Sequence, residues 1–149
     1  MKQEFNVGAF AIILDDQDRV LLCHRCDHDL WNLPGGGLEF EEAPWECVVR
    51  EAKEEVGLDV EVERLAGIYS KRKKNDIAFS FVCKVIGGKI TLTDEADKIE
   101  YFSIGEIPKN TVPKQVERIK DFFDNKSKTL VMKIQECPST MDLIKEGKL

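Results

Sequence analysis

Three glutamates within one short stretch have the residue type and the spacing to bind a metal ion. Glu51, Glu54 and Glu55 stand at offsets of zero, three and four, so a helix would place their carboxylates on one face, about one turn apart. Like charges this close repel each other, and a divalent cation such as Mg²⁺ or Mn²⁺ would neutralise them. The alternative is the solvated face of a charged helix, which three glutamates alone favour.

The residues around these glutamates also stand at fixed spacings. Gly36 is followed after five residues by Glu42, after seven more by Arg50-Glu51, and then by Ala52, Glu54-Glu55, Gly57 and Leu58. Ala52 and Leu58 stand at positions that require only an aliphatic residue. The other seven residues, at these fixed offsets, arise by chance on the order of once in 10⁸ starting positions. The stretch from Gly36 to Leu58 is a complete Nudix box, so the chain resembles a MutT-like Nudix hydrolase.

Length and composition indicate a single soluble globular domain. The chain has 149 residues, of which 42% are hydrophobic and 34% charged, as is ordinary for a domain with its own core. We see no targeting signal and no apolar run near the roughly 18 residues of a spanning helix, which predicts no membrane association and a cytoplasmic location. A net charge of −6 without a long basic run argues against a stable nucleic-acid partner.

The cysteines predict reduced thiols and no disulfide framework. Their number, five, is odd, and their spacing lacks the rhythm of a secreted scaffold. Cys23 and Cys26 form a CxxC pair with His28 close by, which is half of a zinc site. Because the other cysteines are single and far apart, we favour free thiols over zinc.

Hydrophobic patterning predicts the elements that must position the box. We expect strands over residues 5–14, 19–25, 58–69, 77–86, 89–93 and 100–104, and helices from Pro44 to Gly57 and over 113–124, on periodicity, proline and glycine signals. The first two strands are expected to pair as a hairpin. The resemblance implies an α/β fold, the Nudix α/β/α sandwich with a mixed β-sheet.

Two residues before the box helix depart from the usual family pattern. Ala43 stands where Nudix chains often carry Ser or Thr, and a missing side-chain cap costs about 1 kcal/mol. Glu41 stands where they commonly have a turn glycine. We therefore expect any departure from the usual shape of the Nudix box to lie in the loop before the helix.

The chain continues beyond the usual small Nudix core. We divide it into a Nudix domain over residues 1–126 and a C-terminal extension over 127–149. The extension is expected to contain a strand over 129–134 and a short helix opened by Ser139 and Asp142 and ended by Gly147. The sequence leaves three roles open for the extension: a packed appendage, the edge of a lid, or the contact surface of a homodimer.

The resemblance implies a reaction and a set of metal ligands. Nudix enzymes hydrolyse a pyrophosphate bond in a nucleoside diphosphate linked to another moiety, by attack of water on phosphorus with Mg²⁺ or Mn²⁺ as cofactor. Glu54 and Glu55 match the principal metal-ligand glutamates of the family. Glu51 matches the one that binds metal or takes the proton of the water, and Gly35 is placed to offer its backbone carbonyl.

The resemblance also implies roles for charged residues near the ligands. Arg50 matches the arginine that orients a catalytic glutamate, so the predicted catalytic residues are Arg50, Glu51 and Glu54. Pairing of Arg50 with a glutamate four residues away on a solvated helix is the alternative. Glu42 resembles a structural hydrogen-bond partner. The general base comes either from the box helix or from a later glutamate, and Glu95 and Glu100 are the later candidates.

The predicted substrate contacts lie outside the box. We assign phosphate binding to Arg25, because relatives often carry an arginine in the second strand, and base stacking to Trp31, with Phe79 lining the pocket. Phe10 and Phe81 are alternatives for the same roles. Core packing is the usual state of a strand aromatic. The basic run at 71–74 is another source of phosphate contacts, although such runs are usually solvated.

The sequence leaves the substrate open among small nucleotides. A nucleoside triphosphate, ADP-ribose and another nucleotide sugar all fit the predicted chemistry. A non-catalytic domain that binds a nucleotide as a sensor is the alternative of a different class. Sensor domains commonly lose glutamates of the box, and this chain keeps all of them, which favours the enzyme.

Overall fold

A computed structural model describes residues 3–125 and 127–149. The described residues form eight strands and three α-helices. The strands are β1 (Asn6–Ile13), β2 (Val20–Arg25), β3 (Trp31–Asn32), β4 (Gly35–Gly37), β5 (Leu58–Lys71), β6 (Asp76–Gly88), β7 (Ala96–Phe102) and β8 (Val131–Ile134). The helices are α1 (Pro44–Val56), α2 (Pro113–Asp124) and α3 (Thr140–Lys145), and short 3₁₀ turns lie at Arg72–Lys74 and Ile104–Glu106.

The strands form one mixed sheet and one smaller antiparallel sheet. The five-stranded sheet has the order β4-β1-β6-β5-β8, with β1 parallel to β6 and β5 parallel to β8. The three-stranded sheet has the order β3-β2-β7. Helices pack around the mixed sheet, and the predicted α/β fold is confirmed.

Alternating residues of β1 face two different cores. Ala9 and Ala11 pack in one cluster with Ala52 of α1, while Ile12 packs in a second cluster with Ile119 of α2, and all five side chains are fully buried. Successive side chains of a strand point to opposite faces of a sheet. The central strand is therefore covered by α1 on one face and by α2 on the other, which gives the layered sandwich.

The expected hairpin of the first two strands is wrong. Only an isolated bridge between Leu14 and Val20 joins them, and β2 pairs instead with β3 and β7 in the smaller sheet. Both edges of β1 are already occupied, by β4 and by β6. Each strand edge has hydrogen-bonding groups for one neighbour, so β2 has no edge of β1 left to join.

The expected strand over residues 89–93 is also wrong, because this segment bonds to the end of α1. The backbone N–H of Thr91 donates to the carbonyl of Val56 at 3.0 Å, and the hydroxyl of Thr93 donates to the carbonyl of Glu55 at 3.1 Å. These carbonyls belong to the last turn of the helix, where carbonyls lack partners within the helix. The following strand, β7, begins at Ala96 rather than at residue 100.

The ends of α1 follow the sequence closely. The helix begins at Pro44, and Glu46 accepts a hydrogen bond from the backbone N–H of Ala43 at 3.0 Å, although Ala43 itself offers no side-chain cap. Gly57 ends the helix with φ of 79°, a left-handed conformation that favours glycine. Glu41 also has a left-handed φ, of 61°, at the position where the family commonly has glycine.

The C-terminal segment joins the mixed sheet and reaches the cleft described below. β8 runs parallel to β5, with Val131 opposite Gly67, and Ser139 accepts a hydrogen bond from the backbone N–H of Asp142 at 3.1 Å at the start of α3. The division into a domain and an extension stays a prediction, as does a dimer contact. No helix in the described ranges is long and apolar enough to cross a membrane.

Candidate active site

Three carboxylates from two elements converge beside a cleft. Glu51 and Glu55 come from α1 and Glu95 from the loop before β7, and one oxygen of each lies within 4.8 Å of the others. Carboxylate oxygens are the ligands that hard divalent cations such as Mg²⁺ and Mn²⁺ prefer. The chemistry of this donor set fits the metal that the sequence predicted.

Burial makes the charged form of this cluster costly without a counter-ion. Burial raises the pKa of Glu55 to about 8; the hydrogen bond of 3.1 Å from the backbone N–H of Gly35 opposes the rise, and the charge of Glu51 adds to it. Burial also raises the pKa of Glu51. A bound cation would offset this penalty, because it favours the ionised form of each ligand.

Arg50 connects this cluster to the loop before α1. Its guanidinium donates to both oxygens of Glu42, at 2.6 Å and 2.9 Å, and its Nη1 donates to Glu51 at 3.1 Å and to Glu54 at 3.0 Å. The hydrogen bonds from Arg50 lower the pKa of Glu42 to about 2. A rigid guanidinium that holds several carboxylates at once fixes their orientation, as the resemblance implies for Arg50.

Gly36 leaves the space in which the carboxylate of Glu51 lies. A Cβ atom added to Gly36 would lie 2.7 Å from Glu51 Oε1, far inside van der Waals contact. The position next to it is open, because a Cβ on Gly37 would have its nearest neighbour, the carbonyl oxygen of Val7, at 3.9 Å. The first glycine of the box therefore acts here through a close approach of side chain to backbone.

Two of the predicted metal ligands have other contacts. The side chain of Glu54 is 51% exposed and pairs with Arg50, and it lies outside the cluster of Glu51, Glu55 and Glu95. Gly35 meets the cluster through its N–H, which bonds to Glu55. Metal binding by Glu54 and by the Gly35 carbonyl stays a prediction.

Of the two later glutamates, the structure brings only Glu95 to the cluster. Glu100 lies on β7 opposite Leu22, is exposed, and is not part of the cleft lining. Glu95 stands in the preceding loop, whose threonines bond to the end of α1. The position of that loop, fixed by the helix end, is what carries Glu95 to the other two carboxylates.

The cleft next to the carboxylates has a volume of about 740 Å³. Phe10 and Arg25 line it together with the carboxylate cluster. Arg25 donates two hydrogen bonds to Asp27, at 2.8 Å and 2.7 Å, so binding a phosphate would require it to leave this partner. Phosphate binding by Arg25 stays a prediction that its location allows.

The other two predicted substrate contacts lie away from the cleft. Trp31 is 8% exposed and packs edge-on against His24 and Phe102, with ring centroids 5.2 Å and 5.0 Å away. Phe79 packs beside Phe81 against the core under α1. These placements favour packing for Trp31 and Phe79, and Phe10 is the aromatic residue that reaches the cleft.

The structure gives no support to zinc at the CxxC pair. All five cysteines are free thiols, with Cys23 buried and Cys26 exposed. In the described part of the chain, the group of side chains able to hold a metal contains neither these thiols nor His28. The preference for free thiols over zinc at this pair stays a prediction.

Sequence reasoning missed the contribution of α2 and α3 to the cleft. Lys114 and Gln115 of α2 line it, as do Ser139, Thr140 and Met141 at the start of α3. The signal on α2 was the polar pair Gln115 and Arg118, three residues apart on the side of the helix that is buried. Buried polar residues at helical spacing indicate either a network or a ligand.

Residues 4–123 match a known family model, described as the NUDIX domain. The chain belongs to the Nudix family. A MutT-like protein of Streptomyces ambofaciens is 31% identical over 80% of this chain and 77% of its own length. A protein of Bacillus subtilis named as a putative 8-oxo-dGTP diphosphatase is 33% identical over 79% of this chain and 80% of its own length.

A solved structure agrees with this assignment. The crystal structure of an ADP-ribose pyrophosphatase from Streptococcus suis is similar with a TM-score of 0.72 and 26% identity, over 89% of this chain and all of that chain. The protein is a Nudix hydrolase, and its family acts on small nucleotide substrates with divalent metal ions.

Proposed function

We propose that this Nudix hydrolase breaks the pyrophosphate bond of a nucleoside diphosphate linked to another moiety, with Mg²⁺ or Mn²⁺ as cofactor. The observation that carries the proposal is the meeting of Glu51, Glu55 and Glu95 within 4.8 Å of one another at the wall of a cleft of about 740 Å³. A cluster of this kind is costly to maintain unless it binds a cation.

The protein groups divide into ligands, an orienting residue and a proton acceptor. Glu51 and Glu55 are the buried carboxylates that would hold the cation, and Arg50 fixes Glu51 through its hydrogen bond of 3.1 Å. A cation held there would neutralise negative charge on the diphosphate and would lower the pKa of a water bound to it. Glu95 is exposed and, among the described residues, its carboxylate has no hydrogen-bond donor. We therefore assign Glu95 the role of general base, which accepts a proton from the attacking water.

Candidate substrates follow from the names of the relatives. One relative is named as a putative 8-oxo-dGTP diphosphatase and a structural neighbour as an ADP-ribose pyrophosphatase. The candidates are therefore a nucleoside triphosphate, with or without an oxidised base, ADP-ribose, and other nucleotide sugars. We expect no stable nucleic-acid partner, because the net charge is −6 and a polyanion would be repelled.

The test is hydrolysis of a nucleotide panel with Mg²⁺ or Mn²⁺, with the products separated by chromatography. A nucleoside triphosphate would release pyrophosphate or phosphate, whereas ADP-ribose and nucleotide sugars would release two phosphate monoesters. We expect turnover of at least one substrate, and a loss of about 10²-fold or more in kcat for Glu55→Gln, because a charged ligand is lost. Glu61→Gln, an exposed residue of β5, is the matched control and should keep full activity. Glu54→Gln shows whether the exposed glutamate takes part.

Two results would contradict the proposal. If no substrate in the panel turns over although a nucleotide binds, the chain is a sensor of nucleotides and not an enzyme. If Glu55→Gln and Glu54→Gln both keep full activity, hydrolysis does not depend on the box carboxylates.

A further inference from the structure

A second pocket adjoins the cleft on the side away from Glu95. Its volume is about 260 Å³, and it lies between β1, β5, β6 and α2. Phe10, Gly36 and Lys114 line both the pocket and the cleft, and Gly36 is the residue against which Glu51 lies. A molecule bound at the carboxylate cluster can therefore extend into this pocket.

Arg118 is buried in this pocket without a carboxylate partner. Its side chain is part of the lining, the residue is 3% exposed, and its Nη1 has no hydrogen-bond partner in the described ranges. The guanidinium lies over the rings of Phe10 and Tyr69, 5.4 Å and 5.3 Å from their centroids. Cation–π contacts recover only part of the cost of burying a charge, and an unsatisfied donor adds to that cost.

Two lysines bring further positive charge to the same pocket. Lys71 is 5% exposed, and neither it nor Lys114 forms an ion pair among the residues described. Burial lowers the pKa of Lys114, and the charges of Arg118 and Lys71 lower it further. The one carboxylate in the lining, Asp76, accepts a hydrogen bond from Asn6 at 3.0 Å.

We propose that this pocket binds a second anionic group of the substrate, a phosphate or a carboxylate carried by the moiety beyond the diphosphate. Three cations and one carboxylate line the pocket, and the buried Nη1 of Arg118 is a donor without a partner among the described residues. Guanidinium and ammonium groups are the usual receptors of such anions. The substrate class is thus a nucleotide derivative with a charged remote moiety, and this inference rests on the proposed function.

Gln135, just after β8, is a positioning residue for this receptor. Its side-chain oxygen accepts from Arg118 Nε at 3.2 Å, while its amide donates to the carbonyl of Lys114 at 3.1 Å and to Glu117 at 3.0 Å. Gln135 is 3% exposed. The C-terminal segment thereby fixes the guanidinium through Nε, while Nη1 has no partner among the described residues.

The first experiment is a calorimetric titration of the protein with inorganic phosphate in the presence of EDTA, so that no metal can bind the anion. We expect saturable binding at one site, weakened about 10-fold or more by Arg118→Met and by Lys114→Met, because each removes a charged donor. Lys120→Met, on the exposed face of the same helix, is the control and should bind normally. Malonate in place of phosphate shows which anion the pocket prefers.

Lys114 is half-buried and lies at the surface end of the pocket, so its variant keeps the test valid if Arg118→Met does not fold. Absence of saturable phosphate binding overturns the proposal, as does equal binding by Lys114→Met and the unchanged protein. An adventitious surface site would show this second behaviour.

The second experiment is steady-state kinetics on the best substrate of the panel. We expect Lys114→Met to raise KM about 10-fold or more with kcat changed less than about 2-fold, because the contact is remote from the reacting phosphorus. An unchanged KM overturns the assignment of the anion to the substrate. If phosphate binds but no nucleotide is hydrolysed, the proposed function is wrong and the anion pocket is supported. If a nucleotide is hydrolysed but phosphate does not bind, the proposed function is supported and the anion pocket is wrong.

Discussion

Arg50 and Glu42 are joined by two hydrogen bonds, of 2.6 Å and 2.9 Å, across eight residues of chain. This contact ties the loop that precedes α1 to the middle of the helix. The remaining nitrogen of the guanidinium then points at Glu51, 3.1 Å away. The orientation of Glu51 thus depends on a carboxylate that does not itself belong to the cluster of Glu51, Glu55 and Glu95.

Replacement of Arg50 by lysine should therefore reduce activity while the fold persists. A lysine has one point charge and cannot hold Glu42 with two bonds and Glu51 at the same time. We expect kcat to fall about 10- to 100-fold for Arg50→Lys, as is usual when a residue that orients a metal ligand is lost. Lys53→Met, an exposed residue on the same helix, is the control. Full activity of Arg50→Lys would remove the orienting role.

A methyl group at Gly36 should displace Glu51. The Cβ of Gly36→Ala would lie 2.7 Å from Glu51 Oε1, whereas that of Gly37→Ala has no atom nearer than 3.9 Å. Neither glycine has a left-handed φ, so both backbones accept alanine. We expect Gly36→Ala to lose about 10- to 100-fold in kcat with little change in urea stability, and Gly37→Ala to keep its activity. Equal activities of the two variants would contradict the steric argument.

The box helix was predictable because its signals are local. Pro44 opens it and Gly57 closes it, and helical pitch alone places Glu51 and Glu55 on one side. The sheet partners of β1 were not predictable in this way, because its neighbours β4 and β6 come from distant parts of the chain. Pairing between distant strands depends on the whole fold and not on local pattern.

The site shows the same division between local and tertiary signals. Glu95 joins Glu51 and Glu55 only because Thr91 and Thr93 bond to the end of α1. Arg118 stands in a helix that was predicted correctly, but its burial depends on packing against β1 and on Gln135. Helical spacing can show that a polar residue lies on the packed side of a helix, but it does not show which partners that residue meets.

His24 should make stability depend on pH. Its two ring nitrogens lie 2.7 Å from Asp29 and 2.7 Å from Asp97, a geometry that suits an imidazole protonated on both nitrogens. The hydrogen bond to Asp29 raises the pKa of His24 above the usual 6.5; burial opposes the rise and Asp97 adds to it. The stabilisation is therefore complete below pH 6.5 and is lost as pH rises through the folded-state pKa.

The measurement is urea unfolding of the wild-type protein and of His24→Gln, followed by tryptophan fluorescence. Trp31, whose ring centroid lies 5.2 Å from that of His24, and the exposed Trp45 both contribute to this signal. The difference in free energy of unfolding between the two should be larger at about pH 5.5 than at about pH 9. A constant difference would show that folding leaves the pKa of His24 unchanged, and a difference that grows with pH would show that folding lowers it. Either result would contradict the prediction.

Glycine at position 41 should stabilise the loop before α1. Glu41 has a φ of 61°, which costs a residue with a Cβ about 1–2 kcal/mol, whereas the extra backbone entropy of glycine in the unfolded chain costs about 0.4–1 kcal/mol. The net gain for Glu41→Gly is about 0.5–1 kcal/mol, or a rise in Tm of about 1–4 °C. Glu41→Ala keeps the Cβ and should show no such rise, so equal Tm values for both variants would attribute the effect to the lost carboxylate.

Glu95 and Glu100 should differ sharply when each is changed to glutamine. Glu95 offers an oxygen within 4.8 Å of those of Glu51 and Glu55, and an amide there can neither bind a cation well nor accept the proton of the attacking water. We expect Glu95→Gln to lower kcat about 10²- to 10⁴-fold, and Glu100→Gln, a change of an exposed residue on β7, to leave it unchanged. Calorimetric titration with Mg²⁺ distinguishes the two roles of Glu95. If Glu95 only accepts the proton, Glu95→Gln keeps its Mg²⁺ affinity; if Glu95 binds the metal, the affinity falls. A large loss in Glu100→Gln with normal activity in Glu95→Gln would move the base to β7 and require a different placement of the substrate.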